Sequence, residues 1–293
     1  MTGDTPRRAA RDETLPPRRI LVTGAASGLG RAIATRFAAD GHKVLMTDVN
    51  QLRALPLPDG DVTFRHLDVR DEPAWQSAMA WCRKTWGGLD VLVNNAGVAA
   101  AGRIEKIELA DWDWVLDINL KGTVLGCRTF TPLFKDQGHG HIINIASMAG
   151  LVNPPGMVSY NVSKAAVVSL SETLRHELKP FDIATTVVCP AFVRTNIAES
   201  LRSPDPALAE TARRLIENGS LTPEQVAERV ATAVETKPFL VLTHSEGRRA
   251  LFAKRWLPWY LNYTFAKNWR KSLNRMSTEA DAALTSAPPT SEQ

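Results

Sequence analysis

The sequence predicts an α/β fold built on a doubly wound parallel sheet of the Rossmann type, with a basic aromatic helical extension at its C-terminus. Three observations carry the expectation. Short apolar runs alternate with helical patterns from Ile20 onward, a glycine-rich turn follows the first run directly, and the runs read as buried on both faces. The 293 residues suffice for one large domain with tails, and hydrophobic and charged fractions of 44% and 23% suit an ordinary globular core.

The elements follow in order. Ile20–Val22 is a strand that ends at the glycine turn, and Leu29–Ala39 is a helix stopped by Asp40-Gly41. Val44–Met46 leads to Asp48, and the helix after it is cut short by Pro56 and Pro58. A third strand covers Val62–Leu67, and a helix from Glu72 to Trp86 stops at Gly87-Gly88. Val91–Val93 is the fourth strand. A long helix from Asp111 to about Lys135 precedes strand Ile142–Ala146. A second long helix spans Val158–Leu178 ahead of Pro180, and Thr185–Cys189 is the sixth strand. From Thr195 to about Ser220 the rhythm stops, with a helical stretch over Ala207–Asn218. An insertion at the carboxyl edge of the sheet reads as a substrate lid, with a plain surface excursion as the alternative.

Composition excludes several classes. The net charge of +4 is modest and concentrated near the C-terminus, so nucleic acid is a weak candidate. Cys82, Cys127 and Cys189 have neither metal-ligand nor disulfide spacing, which suits a reducing compartment, and no metal is implied. Arginines before Ile20 are mixed with Asp4, Asp12 and Glu13 and lack an apolar region behind them, so no targeting signal is read there. No apolar run reaches membrane-spanning length. A cytoplasmic location is expected.

The chemistry begins at Thr23-Gly24-Ala25-Ala26-Ser27-Gly28-Leu29-Gly30, set between the first strand and first helix. Glycines there let the backbone approach a pyrophosphate, whose charge the helix N-terminus meets. Asp48, ending the second strand, can accept hydrogen bonds from ribose hydroxyls and would repel a 2′-phosphate, which favours NAD over NADP. Its alternative role is a helix cap. Asn94-Asn95-Ala96-Gly97 reads only as a polar turn of small residues. Tyr160 and Lys164 stand at i and i+4 on one helical face, where an ammonium can stabilise a phenolate and fit the tyrosine for proton transfer.

Together these elements resemble the short-chain dehydrogenase/reductase family over about Arg19 to Leu242. The likeness rests on the 23–30 turn, Asp68-Val69, Asn94 to Gly97, Asn119, Ser147, Tyr160 with Lys164, and Pro190 through Thr195, in order and spacing. The resemblance implies that Tyr160 exchanges a proton with the substrate oxygen and that Ser147 hydrogen-bonds that oxygen. Lys164 would hold the nicotinamide ribose, and Asn119 would steady a proton-relaying water. Asp68 and Val69 would flank the adenine. Asn95, Ala96 and Gly97 would line the cofactor cleft, and Pro190, Val193 and Thr195 would border the nicotinamide. Read by itself, Ser147 could merely cap a strand end and Asn119 merely bend its helix. The chain departs from the family in Pro190-Ala191-Phe192, where Pro-Gly is usual.

The domain expectation is a leader over 1–18 without structure, a nucleotide-binding catalytic domain over 19–245, an extension over 246–276 and a disordered tail over 277–293. The implied activity is interconversion of a secondary alcohol and its ketone. An NADP-dependent ketoreductase, or a nucleotide sensor with little turnover, stands as the alternative. Leu151, Val152, Pro154, Pro155, Met157 and Phe192 favour a hydrophobic substrate. A homodimer or homotetramer is implied by resemblance. Between Arg248 and Arg275 eight Lys and Arg residues interleave with seven aromatics and no acid. Such a segment can lie on an anionic membrane as a peripheral contact, pack across a subunit or roof the site, or bind acidic ligands.

Overall fold

In a computed structural model, residues 17–51 and 56–286 are described, the last ten by their backbone alone. Strands β1 (Arg19–Thr23), β2 (Lys43–Asp48), β3 (Val62–His66), β4 (Val91–Asn94), β5 (Gly140–Ile145), β6 (Ile183–Cys189) and β7 (Leu240–Leu242) form one sheet. Their order is β3-β2-β1-β4-β5-β6-β7, and every pairing is parallel. This is the Rossmann arrangement. The order reverses between β1 and β4, and a crevice opens there beyond the strands' carboxyl ends.

Alternation along the strands builds two cores. Ile20 and Val22 face α1 (Gly28–Ala39) and α8 (Pro223–Thr236), meeting Ile33, Phe37, Val230 and Val234. Leu21, Leu45 and Leu92 face the other way, onto Trp75 of α2 (Glu72–Trp86) and Phe130 and Phe134 of α4 (Gly122–Gln137). Both faces are covered, which is why the strands read as continuous apolar runs.

The departures from expectation are local. The helical run starts at Leu109 (α3, Leu109–Leu116), two residues early, and is not one regular helix: Asp117–Lys121 forms a π-turn before α4. Ser147 lies beyond β5 and caps the short α5 (Met148–Val152), its Oγ accepting from Ala149 N–H at 3.1 Å. The helix expected after Asp48 falls partly on residues 52–55, outside the described residues. The leader to Pro16 lies outside them as well.

Helix α6 spans Val158–Leu178 as the sequence predicts, and α7 occupies Pro206–Glu217. Helix α8 opens on a local sequence signature. Thr222 Oγ1 accepts from Gln225 N–H while the Gln225 side chain accepts from Thr222 N–H, a capping box with Pro223 at the first turn. Beyond β7, α9 (Ser245–Trp256) and α10 (Pro258–Ser286) divide at Pro258. The backbone of α10 stays helical to Ser286, into the stretch from Ser277 expected to lack structure. Residues 287–293 lie outside the described residues.

Candidate active site

The crevice is floored by the glycine turn. Gly24 and Gly28 take positive φ, +63° and +52°. A Cβ at Gly30 would stand 2.1 Å from Gly24 O, so only glycine lets α1 start this close to the turn. Leu29 packs into the core below. Ser27, the N-cap of α1, makes no side-chain capping bond, and no acid occupies the first turn. The helix N-terminus is therefore open to an anion, which fits a dinucleotide pyrophosphate.

Neighbouring loops lock onto this floor. Thr23 Oγ1 accepts the N–H groups of Asn95 and Ala96, each at 3.0 Å, and Asn95 Nδ2 donates to Thr23 O and Gly24 O. Asp48 lies beside the turn, its Oδ2 accepting Ala26 N–H at 3.0 Å and its Oδ1 accepting Asn50 N–H at 2.8 Å. Thr195 closes over the opposite side, with its Cβ 3.5 Å from where a Gly28 Cβ would stand. Val193 bridges to Leu221 and is buried.

Asp68 and Val69, expected to flank an adenine, are engaged elsewhere in the fold. Arg70 holds the Asp68 carboxylate, with Nη2 to Oδ2 at 2.7 Å, and keeps it ionised below the usual range. Val69 instead packs against Gly122, where a Cβ would meet its side chain at 2.7 Å.

Four polar residues converge at the far end of the crevice. Tyr160 and Lys164 project from α6, and Ser147 comes from the β5–α5 junction. The Tyr160 hydroxyl faces Ser147, which favours its ionised form against burial. Ser147 Oγ donates to Pro190 O at 3.3 Å, just beyond the end of β6. Lys164 is 4% exposed, with Nζ 3.0 Å from Ile145 O and 5.9 Å from the Tyr160 ring centroid. Asn119 sits in the π-turn, fully buried. Its Oδ1 accepts Val98 N–H at 2.8 Å, and its Nδ2 donates to Val98 O and Ser163 Oγ, both at 3.1 Å. Gly97 lies between the two: a Cβ there would come 3.1 Å from Asn119 Oδ1 and 3.3 Å from Lys164 Nζ. The π-turn thus does more than bend the helix. It seats an amide that joins the β4 loop to α6.

Burial dominates the electrostatics. It raises the Tyr160 pKa above its ordinary 10, against an opposing pull from the Ser147 hydrogen bond. It also brings the Lys164 ammonium down to about 8. The expected depression of Tyr160 by Lys164 is absent from this arrangement, because the ammonium donates to Ile145 O and does not offset the loss of solvent.

Spacing alone did not reveal Thr23, which organises the Asn95 turn, or Ser163, which receives Asn119. Nor did it reveal His244, whose Nδ1 accepts Ala191 N–H at 3.2 Å beside Pro190. Their roles depend on partners distant in sequence. Arg31, one residue past the glycine turn, has a buried Nη1 without a partner among the described residues.

Comparison with known proteins matches the short chain dehydrogenase family over residues 18–206. The chain is 32% identical over 258 residues to a CLA biosynthesis dehydrogenase/reductase of Lactiplantibacillus plantarum, covering 78% of this chain and 88% of that protein. A Burkholderia phymatum short chain dehydrogenase/reductase, solved in complex with NAD, superposes with a TM-score of 0.76 at 33% identity, over 82% of this chain and 93% of that one. The closed form of a serine dehydrogenase complexed with NADP+ gives 0.69 at 32% identity, over 76% and 93% of the chains.

Proposed function

This chain belongs to the short chain dehydrogenase family, whose members are nicotinamide-dependent oxidoreductases, and from that premise we propose that it interconverts a hydrophobic secondary alcohol and its ketone with NAD(H). The observation that carries the reading is the buried Lys164 ammonium, 5.9 Å from the Tyr160 ring centroid, with Ser147 beside the tyrosine and the glycine turn ahead. When bound, the nicotinamide supplies the hydride chemistry. The chain supplies the remainder.

Ser147 holds the substrate oxygen in line with the Tyr160 hydroxyl. Burial keeps that phenol protonated near neutral pH, the form that donates to a developing alkoxide. Lys164 would hold the nicotinamide ribose, and Asn119 would steady the water that relays the proton to bulk. The open N-terminus of α1 binds the pyrophosphate, and Thr195 with Val193 borders the nicotinamide. The wall from Met148 to Met157, with Phe192, presents mainly apolar side chains, which favours a hydrophobic substrate. The segment over 195–220 acts as its lid.

Asp48 beside the turn supports NAD, since a carboxylate there accepts from ribose hydroxyls. The unpaired Nη1 of Arg31 favours the second reading, NADP, by offering a cation next to the same turn. The test is NADH and NADPH formation against a panel of hydrophobic secondary alcohols, wild type beside Tyr160→Phe. The variant is expected to lose roughly 10²–10⁴-fold in kcat while nucleotide affinity stays within about twofold. Undiminished turnover in Tyr160→Phe would remove the assignment, and a preference for NADP would move the weight from Asp48 to Arg31.

A further inference from the structure

Helices α9 and α10 have two unlike faces. Inward, α9 sets Gly247 against Met148, and Lys254 Nζ donates to Leu151 O. In α10, Trp269 and Met276 pack onto Ala101, Leu208 and Ala212, and Trp269 reaches within 3.1 Å of where a Gly156 Cβ would stand. The pair is thus seated on the α5 segment and on α7, beside the apolar wall of the site.

Outward, the same helices present Phe252, Trp256, Trp259, Tyr260 and Tyr263 around the Pro258 break. Trp256 is 63% exposed, Trp259 69% and Tyr263 63%. An isolated exposed aromatic needs no explanation, but five in twelve consecutive positions form a patch. Cations flank it. Arg255 lies over the Trp256 ring at 5.5 Å and Lys267 over Tyr263 at 6.0 Å, and Arg270, Lys271 and Arg275 continue exposed along α10. The eight cations from Arg248 to Arg275 exceed the whole chain's net +4, so the rest of the molecule is net acidic. An anionic surface would attract this end and repel the remainder.

We propose that the outer face of α9 and α10 is a docking surface for anionic lipid bilayers. Trp and Tyr settle at the headgroup level, and Lys and Arg pair with lipid phosphates. The helices lie on the bilayer: among the described residues none is long and apolar enough to cross it. The docking itself is independent of which alcohol is turned over.

The experiment is sedimentation of the full chain with phosphatidylcholine vesicles, with and without phosphatidylglycerol. Two surface variants accompany it, Trp256→Ser/Trp259→Ser/Tyr263→Ser and Lys267→Gln/Arg270→Gln/Lys271→Gln. Binding is expected only with phosphatidylglycerol, weakened by salt. The charge variant should lose about fivefold in affinity per cation removed, and the aromatic variant at least tenfold. Light scattering without lipid should give one mass for all three proteins. Equal recovery with both vesicle types, or anionic binding that neither variant changes, overturns the proposal. A fall in oligomeric mass in the aromatic variant also overturns it and makes this face a subunit interface. Retention on single-stranded DNA with no vesicle binding overturns it in favour of nucleic acid.

Discussion

Lys164 stands in the native state as a buried ammonium with one carbonyl partner, so it carries an energetic cost that the pH can relieve. Below pH 8 both folded and unfolded chains bind its proton and the cost is fully present. Between about 8 and the ordinary 10.5, the folded state releases the proton first and stability rises with pH. Cys82, Cys127 and Cys189 oppose this, since burial raises each thiol to about 12 and stability is lost as pH climbs past 9. Comparison with Lys164→Met isolates the lysine. The variant is expected to be more stable than wild type at pH 7 by on the order of 2 kcal/mol, after the lost hydrogen bond is allowed for, with the gap closing toward pH 10.5. Denaturant unfolding at several pH values measures it, and a variant no more stable at pH 7 would place Lys164 in a polar setting. Such a cost at one residue marks a position kept for chemistry.

Within the elements, β5 shows how a strand can carry a hidden titration. His141 faces inward at 3% exposure, its Nε2 against Thr186 Oγ1 of β6 at 2.8 Å. Its Nδ1 has no partner among the described residues. Burial, helped by Lys237 and Arg18, brings its pKa to about 3. A buried neutral histidine stabilises fully above 6.5, and that contribution is lost as the pH falls from 6.5 toward 3, because the unfolded chain takes up the proton. His141→Gln keeps a donor toward Thr186 and removes the titration. Its stability should fall less steeply between pH 6 and 4.5, by up to about 1.4 kcal/mol per pH unit. Parallel slopes for both proteins would show His141 protonated in the fold. The π-turn is the other informative element: Asp117–Lys121 holds Asn119 on Val98 and Ser163, a geometry the regular helix read from Asp111 to Lys135 lacks.

For the whole molecule, the central question is how firmly the C-terminal helices belong to the domain. Trp269 bridges α10, α7 and the Gly156 loop. Trp269→Ala is expected to cost about 2 kcal/mol and to lower Tm by roughly 4–8 °C. An unchanged Tm would mean that α10 melts apart from the sheet. Helix α7 and the extension share this contact, as the cluster of Ala101, Leu208 and Ala212 receives both Trp269 and Met276. Asp205 adds a latch: Arg103 and Lys106 hold its carboxylate ionised against the opposing effect of burial, and so join the start of α7 to the loop after β4.

Much of this was determined by the sequence alone. Apolar runs with the periodicity of strands, glycines where α1 meets the turn and the i,i+4 pair Tyr160/Lys164 specify the sheet, the crevice and the residues proposed to react, because each is a local pattern read within one or two turns of chain. Helix α8 was equally local in its Thr222–Gln225 capping box and could have been read. The tertiary structure alone decided what depends on distant partners. The π-turn at Asn119 holds its amide on Val98 and Ser163, and Ser147 reaches Pro190. It also decided that Trp269 points in while Trp259 points out. Composition places both in one aromatic, basic stretch, and only the docking of α10 on α7 separates its buried face from its exposed one.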